Sequence, residues 1–165
     1  MSERYDYIKR NLEIIRKKIE IAAIKSGRKL EDITLIAVSK TVDPQRIIRA
    51  IDEGITELGE NRVQELTEKY DIINRECNWH LIGHLQTNKV KYIIDKVKLI
   101  HSVDRYSLAL EIDNRAKKIG KKVDILVQVN ISGEESKFGV GESESFELIR
   151  KISTLENIRV KGLMT

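Results

Sequence analysis

The sequence predicts an α/β fold built on a parallel sheet, and a (β/α) TIM-type barrel is the favoured architecture. Short runs rich in β-branched residues alternate with longer amphipathic segments, as in βα units. The runs LIAV and ILVQV are largely apolar, which is typical of strands covered on both faces. An open doubly wound sheet is the competing architecture. No glycine-rich phosphate loop follows any predicted strand, and the nucleotide-binding version of that sheet therefore loses its main support.

The predicted elements follow one another in a regular order. A lead-in helix that ends near Ser26-Gly27 is indicated by an apolar stripe made of Ile8, Leu12, Ile15, Ile19 and Ala22. Six strands come next, and every strand except the last is followed by a helix. The strand segments are ITLIAVS, ITELGEN, WHLIGH, KLIHSV, VDILVQVN and IRVKGLM. The helix segments are DPQRIIRAIDEG, RVQELTEKYDIINRE, QTNKVKYIIDK, RYSLALEIDNRAKKIG and ESFELIRKIST.

The first strand-to-helix corner carries a lysine. In LIAVSKTVDPQRI, Asp43 is placed to cap the following helix and Pro44 to occupy its first position. Lys40 therefore lies at the carboxyl end of the first strand, where α/β proteins bind ligands. The alternative is that Lys40 is simply the first solvated residue after the strand.

Other predicted strand ends also carry candidate site residues, and in a barrel these ends converge on one mouth. These residues are Glu60, Asn61, His80, His84, His101, Ser102, Asp104, Asn130, Met164 and Thr165. Asn61 has an alternative role as the cap of the next helix, and His80 as a hydrogen-bonded core histidine. His80 and His84 would suit a metal only on a helix, and their segment is predicted as a strand, so no zinc site is expected.

Composition limits the class of protein. The 165 residues, 41% hydrophobic and 34% charged, suit one domain over residues 1–165 and exclude a disordered or fibrous chain. The net charge of +4 comes from 30 basic and 26 acidic residues mixed along the chain, which argues against a nucleic-acid partner. No segment has the length of a membrane span or the core of a signal peptide. Cys77 is the only cysteine, so a soluble, cytoplasmic protein without a disulfide is expected.

Six motifs carry a resemblance to a known family. In chain order they are AVSKT, GENRVQE, WHLIGHLQTNK, IHSVD, VNISGEESKFGV and KGLMT. Their order and spacing resemble the pyridoxal-phosphate homeostasis protein family, whose fold is similar to the N-terminal barrel of alanine racemase. The resemblance extends from the lead-in helix to the last residue.

The resemblance implies that the chain binds pyridoxal 5′-phosphate (PLP) through a Schiff base on Lys40. Partial desolvation at a barrel mouth would favour the neutral amine that attacks an aldehyde. Asn61 is expected to lie against the cofactor, and His84, Ser102 and Met164 are expected to line the same pocket.

Two functions follow from the resemblance. The favoured one is a PLP carrier in cofactor homeostasis that holds PLP and passes it to PLP-dependent apo-enzymes. The alternative is a racemase-like enzyme acting on amino acids, which needs a second base that alanine racemase takes from a separate C-terminal domain of a partner subunit. This sequence shows no such domain, and the tyrosines are predicted to lie in helices outside the barrel mouth, at Tyr70, Tyr92 and Tyr106.

A complete barrel of eight units needs about 250 residues, so about six of the eight are expected here. The loops with which the family binds phosphate would follow GLMT, and their absence predicts weak PLP binding. The full-length relative is expected to be a monomer, whereas this chain, with two unpaired edge strands, is expected to self-associate. Lys137, in the loop after the fifth strand, is either a solvated residue or part of a mobile cationic lid over the phosphate.

Overall fold

The structure is a computed structural model that describes residues 5–134 and 137–165. Within these residues it contains seven strands and five α-helices. The strands are β1 (Ala37–Val38), β2 (Glu57–Glu60), β3 (Asn78–Leu81), β4 (Val97–Val103), β5 (Val123–Asn130), β6 (Val140–Gly141) and β7 (Ile158–Met164). The helices are α1 (Asp6–Lys25), α2 (Pro44–Asp52), α3 (Val63–Ile72), α4 (Tyr106–Lys118) and α5 (Glu142–Ile152).

The sheet is parallel throughout and its long strands lie in chain order. β1 pairs with β2, β2 with β3, β3 with β4, β4 with β5, and β5 with β7. A doubly wound sheet reverses its strand order at a switch point, and this sheet has no reversal among the described residues. The sequential order is that of a barrel, which confirms the predicted fold class. Among the described residues, β1 and β7 each have one neighbouring strand.

The hydrophobic core lies between the sheet and its helices. On β2 and β3, Leu58 and Trp79 are buried against the helix layer, and Tyr70 of α3 contacts the Trp79 ring at a centroid distance of 6.4 Å. Burial alternates residue by residue along β5, because successive side chains of a strand point to opposite faces. The fold thereby separates a helix-covered face from an inner face.

β1, β2 and β3 are shorter than their predicted segments, and two other parts of the chain differ from the prediction in kind. The segment expected to form a helix after β3 is a 3-10 helix over Thr87–Tyr92. Its buried residue Val90 and the buried cap residue Ile93 are three apart, which suits three residues per turn, and its β-branched residues disfavour an α-helix. The short strand β6 was not predicted, because it exists only where its chain meets Val129 and Asn130 at the end of β5.

The two N-terminal helices agree with the sequence in part. Asp43 caps α2 by accepting a hydrogen bond from the Arg46 N–H at 3.1 Å, and Pro44 is the first helical residue, both as predicted. In α1 the residues buried are Leu12 and Ala23, whereas Ile15 of the predicted stripe is exposed. In the part of the chain that the structure describes, no helix is long and apolar enough to span a membrane.

Candidate functional site

Lys40 lies in a tight turn between β1 and α2, as the sequence predicts. The Val42 N–H donates to the Ser39 carbonyl at 3.0 Å and closes this turn. The Lys40 side chain is exposed, and its amine has no hydrogen-bond or ion-pair partner among residues 5–134 and 137–165. The expected partial desolvation is therefore not observed. The amine is accessible from the solvent.

Thr41 adopts an unusual backbone conformation directly after Lys40. Its φ of 60° is the one positive value at a non-glycine residue in the described chain. The third position of a type II turn requires a positive φ and usually holds glycine or asparagine. For a β-branched residue such a conformation is strained, so surrounding contacts must hold this turn in place.

Ser39 and Thr41, on either side of Lys40, are bonded to β2 and α3. Ser39 donates its N–H to the Gly59 carbonyl at 2.9 Å and its hydroxyl to Glu60 Oε1 at 2.8 Å. The Thr41 N–H donates to Glu65 Oε2 at 2.9 Å. Ser39 thus faces α3, and Lys40 stands between two residues that are bonded to β2 and α3.

Lys69 of α3 joins these groups. Its ammonium donates to the Ser39 carbonyl at 2.7 Å, to Glu60 Oε1 at 2.6 Å and to Glu65 Oε2 at 3.1 Å. Lys69 is 8% exposed and Glu60 is fully buried, so this ion pair lies away from water. The N–H of Thr41 and then Lys69 lower the pKa of Glu65. We call Ser39, Thr41, Glu60, Glu65 and Lys69 the turn network.

Glu65 and Lys69 were not among the site residues predicted from the sequence. The sequence does contain a signal, because Leu66, Lys69 and Ile73 are spaced to share one helix face, and all three are buried. A lysine within an apolar stripe is almost never buried unless it is paired. Its partner Glu65 lies four residues before it, at the spacing of helical ion pairs.

The ends of β2, β3 and β4 pack closely around Gly83. A Cβ atom on Gly83 would contact the backbone oxygen of Asn61 and lie 2.7 Å from its Cα. The Ser102 hydroxyl donates to the Gly83 carbonyl at 2.6 Å. Helix α3 begins at Val63 with Arg62 at its cap position and no side-chain cap bond, so Asn61 is not the helix cap.

His84 follows β3 and stacks on Phe138. The two ring centroids are 4.0 Å apart with an angle of 19° between the planes. His84 Nδ1 also lies 3.8 Å from Asp104 Oδ2. Phe138 lies two residues before β6, so the chain that leads into β6 contacts the end of β3.

A cavity of about 440 Å³ lies beside Asn61 and His84. Its other walls are Arg62, Val63, Gln64, Thr67, Gln86, Lys89 and Tyr92. Lys40, Ser102 and Met164 are not among its walls. The structure therefore brings Asn61 and His84 into one cavity and places Lys40 one strand away.

Met164 lies on β7, which pairs with the edge of β5 opposite to β4. It ends β7 and pairs with Gln128. The next residue, Thr165, lines a second cavity of about 610 Å³ together with Asn130 and Lys137. Lys137 is exposed and pairs with Glu134 at 2.7 Å. Met164 thus borders a different part of the carboxyl edge from His84.

His80 is a hydrogen-bonded core histidine, as the alternative interpretation predicted. Its Nε2 lies 2.6 Å from Glu57 Oε2 and its Nδ1 lies 2.9 Å from His101 Nε2. Burial and the neighbouring His80 lower the pKa of His101 to about 4. Burial acts to raise the pKa of Glu57, but hydrogen bonds from His80, Lys98 and Asn78 outweigh it and lower the pKa. The described residues contain no cluster suited to a metal ion.

Comparison with known proteins gives a consistent result along the chain. The family model described as alanine racemase, N-terminal domain, matches residues 5–165. The pyridoxal phosphate homeostasis protein of Aquifex aeolicus (strain VF5) is 44% identical over 155 residues, which cover 93% of this chain and 68% of that protein.

Two solved structures are similar in fold as well as in sequence. An unknown protein from Bifidobacterium adolescentis superimposes with a TM-score of 0.92 at 36% identity, covering 100% of this chain and 71% of that one. The structure of PipY from Synechococcus elongatus PCC7942 with PLP bound superimposes with a TM-score of 0.76 at 31% identity, covering 87% and 67% of the two chains.

Proposed function

Because this chain belongs to the alanine racemase N-terminal domain family, and within it to the pyridoxal phosphate homeostasis proteins, we propose that it binds PLP through Lys40 and acts in PLP homeostasis. The observation that carries the proposal is the Lys40 amine, which is exposed and without a partner among the described residues. It stands at the carboxyl end of the first barrel strand, where barrel proteins bind ligands.

The residues at this edge fit the chemistry of the cofactor. PLP supplies an aldehyde that reacts with a primary amine and a phosphate that accepts hydrogen bonds. Lys40 supplies the amine, which adds to the aldehyde carbon and forms a carbon–nitrogen double bond as water leaves. The Lys40 amine forms no ion pair with the described residues, so no such contact has to break before it reacts.

The other proposed contacts have different tasks. Asn61 offers a side-chain amide to a ring substituent, and His84 offers an imidazole already held flat against Phe138. The hydroxyl of Ser102 is bonded to the Gly83 carbonyl, so its task is to fix the end of β3 beside the ligand. Met164 offers an apolar, polarizable contact from β7.

Release of the cofactor completes the proposed role. A carbon–nitrogen double bond at an exposed amine is open to water, and hydrolysis returns the free lysine and the aldehyde. We propose PLP-dependent apo-enzymes as recipients and the cytoplasm as the location, where the single cysteine, Cys77, stays reduced.

One observation favours the racemase-like alternative. Tyr92, expected outside the mouth, lines the same cavity as Asn61 and His84, so a phenol is available near the proposed site. Tyr70 and Tyr106 lie in α3 and α4, as expected.

A transfer assay separates the two functions. The protein is loaded with PLP, mixed with a PLP-dependent apo-enzyme, and the return of that enzyme's activity is followed, while exchange of the α-hydrogen of alanine is measured in deuterium oxide. We expect transfer without α-hydrogen exchange, and no loading of Lys40→Ala. Alanine exchange that Tyr92→Phe abolishes, without transfer, would favour the racemase.

A further inference from the structure

The turn network acts on both peptide groups that flank Lys40. The carbonyl of the peptide before Lys40, which belongs to Ser39, accepts from Lys69 Nζ at 2.7 Å. The N–H of the peptide after Lys40, which belongs to Thr41, donates to Glu65 Oε2 at 2.9 Å. Two side chains of one helix therefore hold the two peptide planes that determine where the Lys40 side chain points.

The two bonds differ in their exposure to water. Lys69 is 8% exposed and donates to the Ser39 carbonyl, to Glu60 on β2 and to Glu65 on α3. The bond from the Thr41 N–H to Glu65 is exposed. Hydrogen bonds to charged groups are stronger than neutral ones, and a buried ion pair is costly to break. The turn is thus attached to a rigid helix and not only to its neighbouring strand.

The backbone of Thr41 gives the turn a reason to need this attachment. A φ of 60° at a β-branched residue is maintained only where surrounding contacts determine it. If the bond from the Thr41 N–H to Glu65 is lost, the peptide between Lys40 and Thr41 is free to rotate toward an unstrained conformation. The backbone on the carboxyl side of Lys40 is then no longer held, and the direction of the Lys40 side chain is no longer fixed from that side.

We propose that Glu65 and Lys69 are positioning residues that aim the Lys40 amine at the cofactor aldehyde. This inference rests on the proposed function. Neither residue contacts the Lys40 amine, so both act through the backbone of the turn. A misdirected amine reacts more slowly and binds the aldehyde less tightly, because covalent bond formation depends on the orientation of the reacting groups.

Three variants of α3 test the proposal. Glu65→Ala removes the acceptor for the Thr41 N–H, and Glu65→Gln retains one side-chain oxygen for it. Glu68→Ala is the matched control, because Glu68 is an exposed glutamate on the same helix that accepts a hydrogen bond from Gln64. PLP capture is followed by absorbance, and hydrogen exchange of the Thr41 amide is measured by NMR without any cofactor.

We expect Glu65→Ala to weaken PLP capture about tenfold, which corresponds to about 1.4 kcal/mol, and to accelerate exchange of the Thr41 amide. Glu65→Gln should restore both quantities to within about threefold of the parent, and Glu68→Ala should match the parent. Because Glu65→Gln preserves the shape of the helix, its rescue distinguishes orientation of the turn from general destabilisation.

Three results would overturn the inference, and they are distinguishable from one another. Normal capture by the parent together with unchanged capture by Glu65→Ala removes the positioning role alone. Absence of capture at Lys40 in the parent refutes the proposed function and the inference with it. Equal losses in Glu65→Ala and Glu65→Gln would also count against positioning, because the retained oxygen would then have no effect.

Discussion

Two adjacent residues, Lys40 and Thr41, have different roles in the turn between β1 and α2. Lys40 carries the exposed amine, and Thr41 takes the strained backbone conformation that lets the chain turn from β1 into α2. The position of Lys40 could be predicted, because Asp43-Pro44 marks the start of α2 and the apolar strand ends just before it. Lys40 must then lie in the connection between the two. The strain at Thr41 could not, because nothing in a threonine residue favours a positive φ.

Replacing Thr41 with glycine should stabilise the protein. A left-handed conformation costs a non-glycine residue about 1–2 kcal/mol, and glycine costs about 0.5–1 kcal/mol in chain entropy. We therefore expect the free energy of unfolding in urea to rise by about 0.5–1 kcal/mol. Thr154 is a matched control, because its hydroxyl bonds a nearby carbonyl in the same way and its φ is not positive. Thr154→Gly should lower the same quantity.

His101 should make stability depend on pH. Its pKa is about 4 in the folded protein and 6.5 ordinarily, so the unfolded chain binds a proton first as the pH falls. The contribution of His101 to the free energy of unfolding is therefore fully present above pH 6.5. It is lost as the pH falls from 6.5 to about 4. We expect a loss of about 2–3 kcal/mol between pH 7 and 4.5, since one pKa unit is worth about 1.4 kcal/mol.

Urea unfolding at the two pH values checks this expectation in the parent, His101→Gln and His84→Gln. The first variant should lose most of the pH dependence, and the second, whose histidine is partly exposed, should retain it. The same slope in the parent and His101→Gln would assign the effect to another group. The sequence could not predict this cluster, because Glu57, His80 and His101 meet only through the register of three strands.

At the scale of elements, the sequence predicts long strands well and short ones poorly. The predicted segments of β5 and β7 agree with the structure, because both are long segments in which apolar residues recur at the spacing of a strand. β1 is reduced to Ala37–Val38, because it pairs on one side with β2, which is itself four residues long. Strand β6 depends on contact between distant segments, a feature that local patterns do not contain.

The close approach of β2 and β3 makes Gly83 a sensitive position. A methyl group there would overlap the backbone of Asn61, so Gly83→Ala must push the two strand ends apart. We expect the free energy of unfolding to fall by about 1–3 kcal/mol, the usual cost of overpacking. Gly141→Ala is the control, since its added methyl meets a side-chain oxygen at 3.7 Å, and its effect should be small. Equal stability of Gly83→Ala and the parent would contradict the packing described here.

At the scale of the whole molecule, the parallel sheet has two sides that no described strand covers. β1 forms one side and β7 the other. Val38 is 50% exposed and Leu163 is 55% exposed, so both edges carry apolar surface. The order of the strands could be predicted from the alternation of strands and helices. The exposure of apolar side chains on the edge strands could not, because it depends on how the strands pair in three dimensions.

A polypeptide of these 165 residues should self-associate through those edges, because unpaired strands are templates for pairing with another chain. We expect sedimentation equilibrium to show species larger than a monomer, in proportions that rise with protein concentration. Val38→Lys and Leu163→Lys place a charge on each edge and should shift the distribution toward monomer. A monomer at every concentration in the parent would exclude edge pairing.

The central claim is that this molecule holds PLP through Lys40. It is tested most directly by reducing the mixture of protein and PLP with borohydride and mapping the modified lysine by mass spectrometry. The account predicts one dominant adduct, on the peptide that contains Lys40, which disappears in Lys40→Ala and persists in Lys161→Ala, a control at an exposed lysine of β7. An adduct spread over many lysines, or one that survives unchanged in Lys40→Ala, would contradict it.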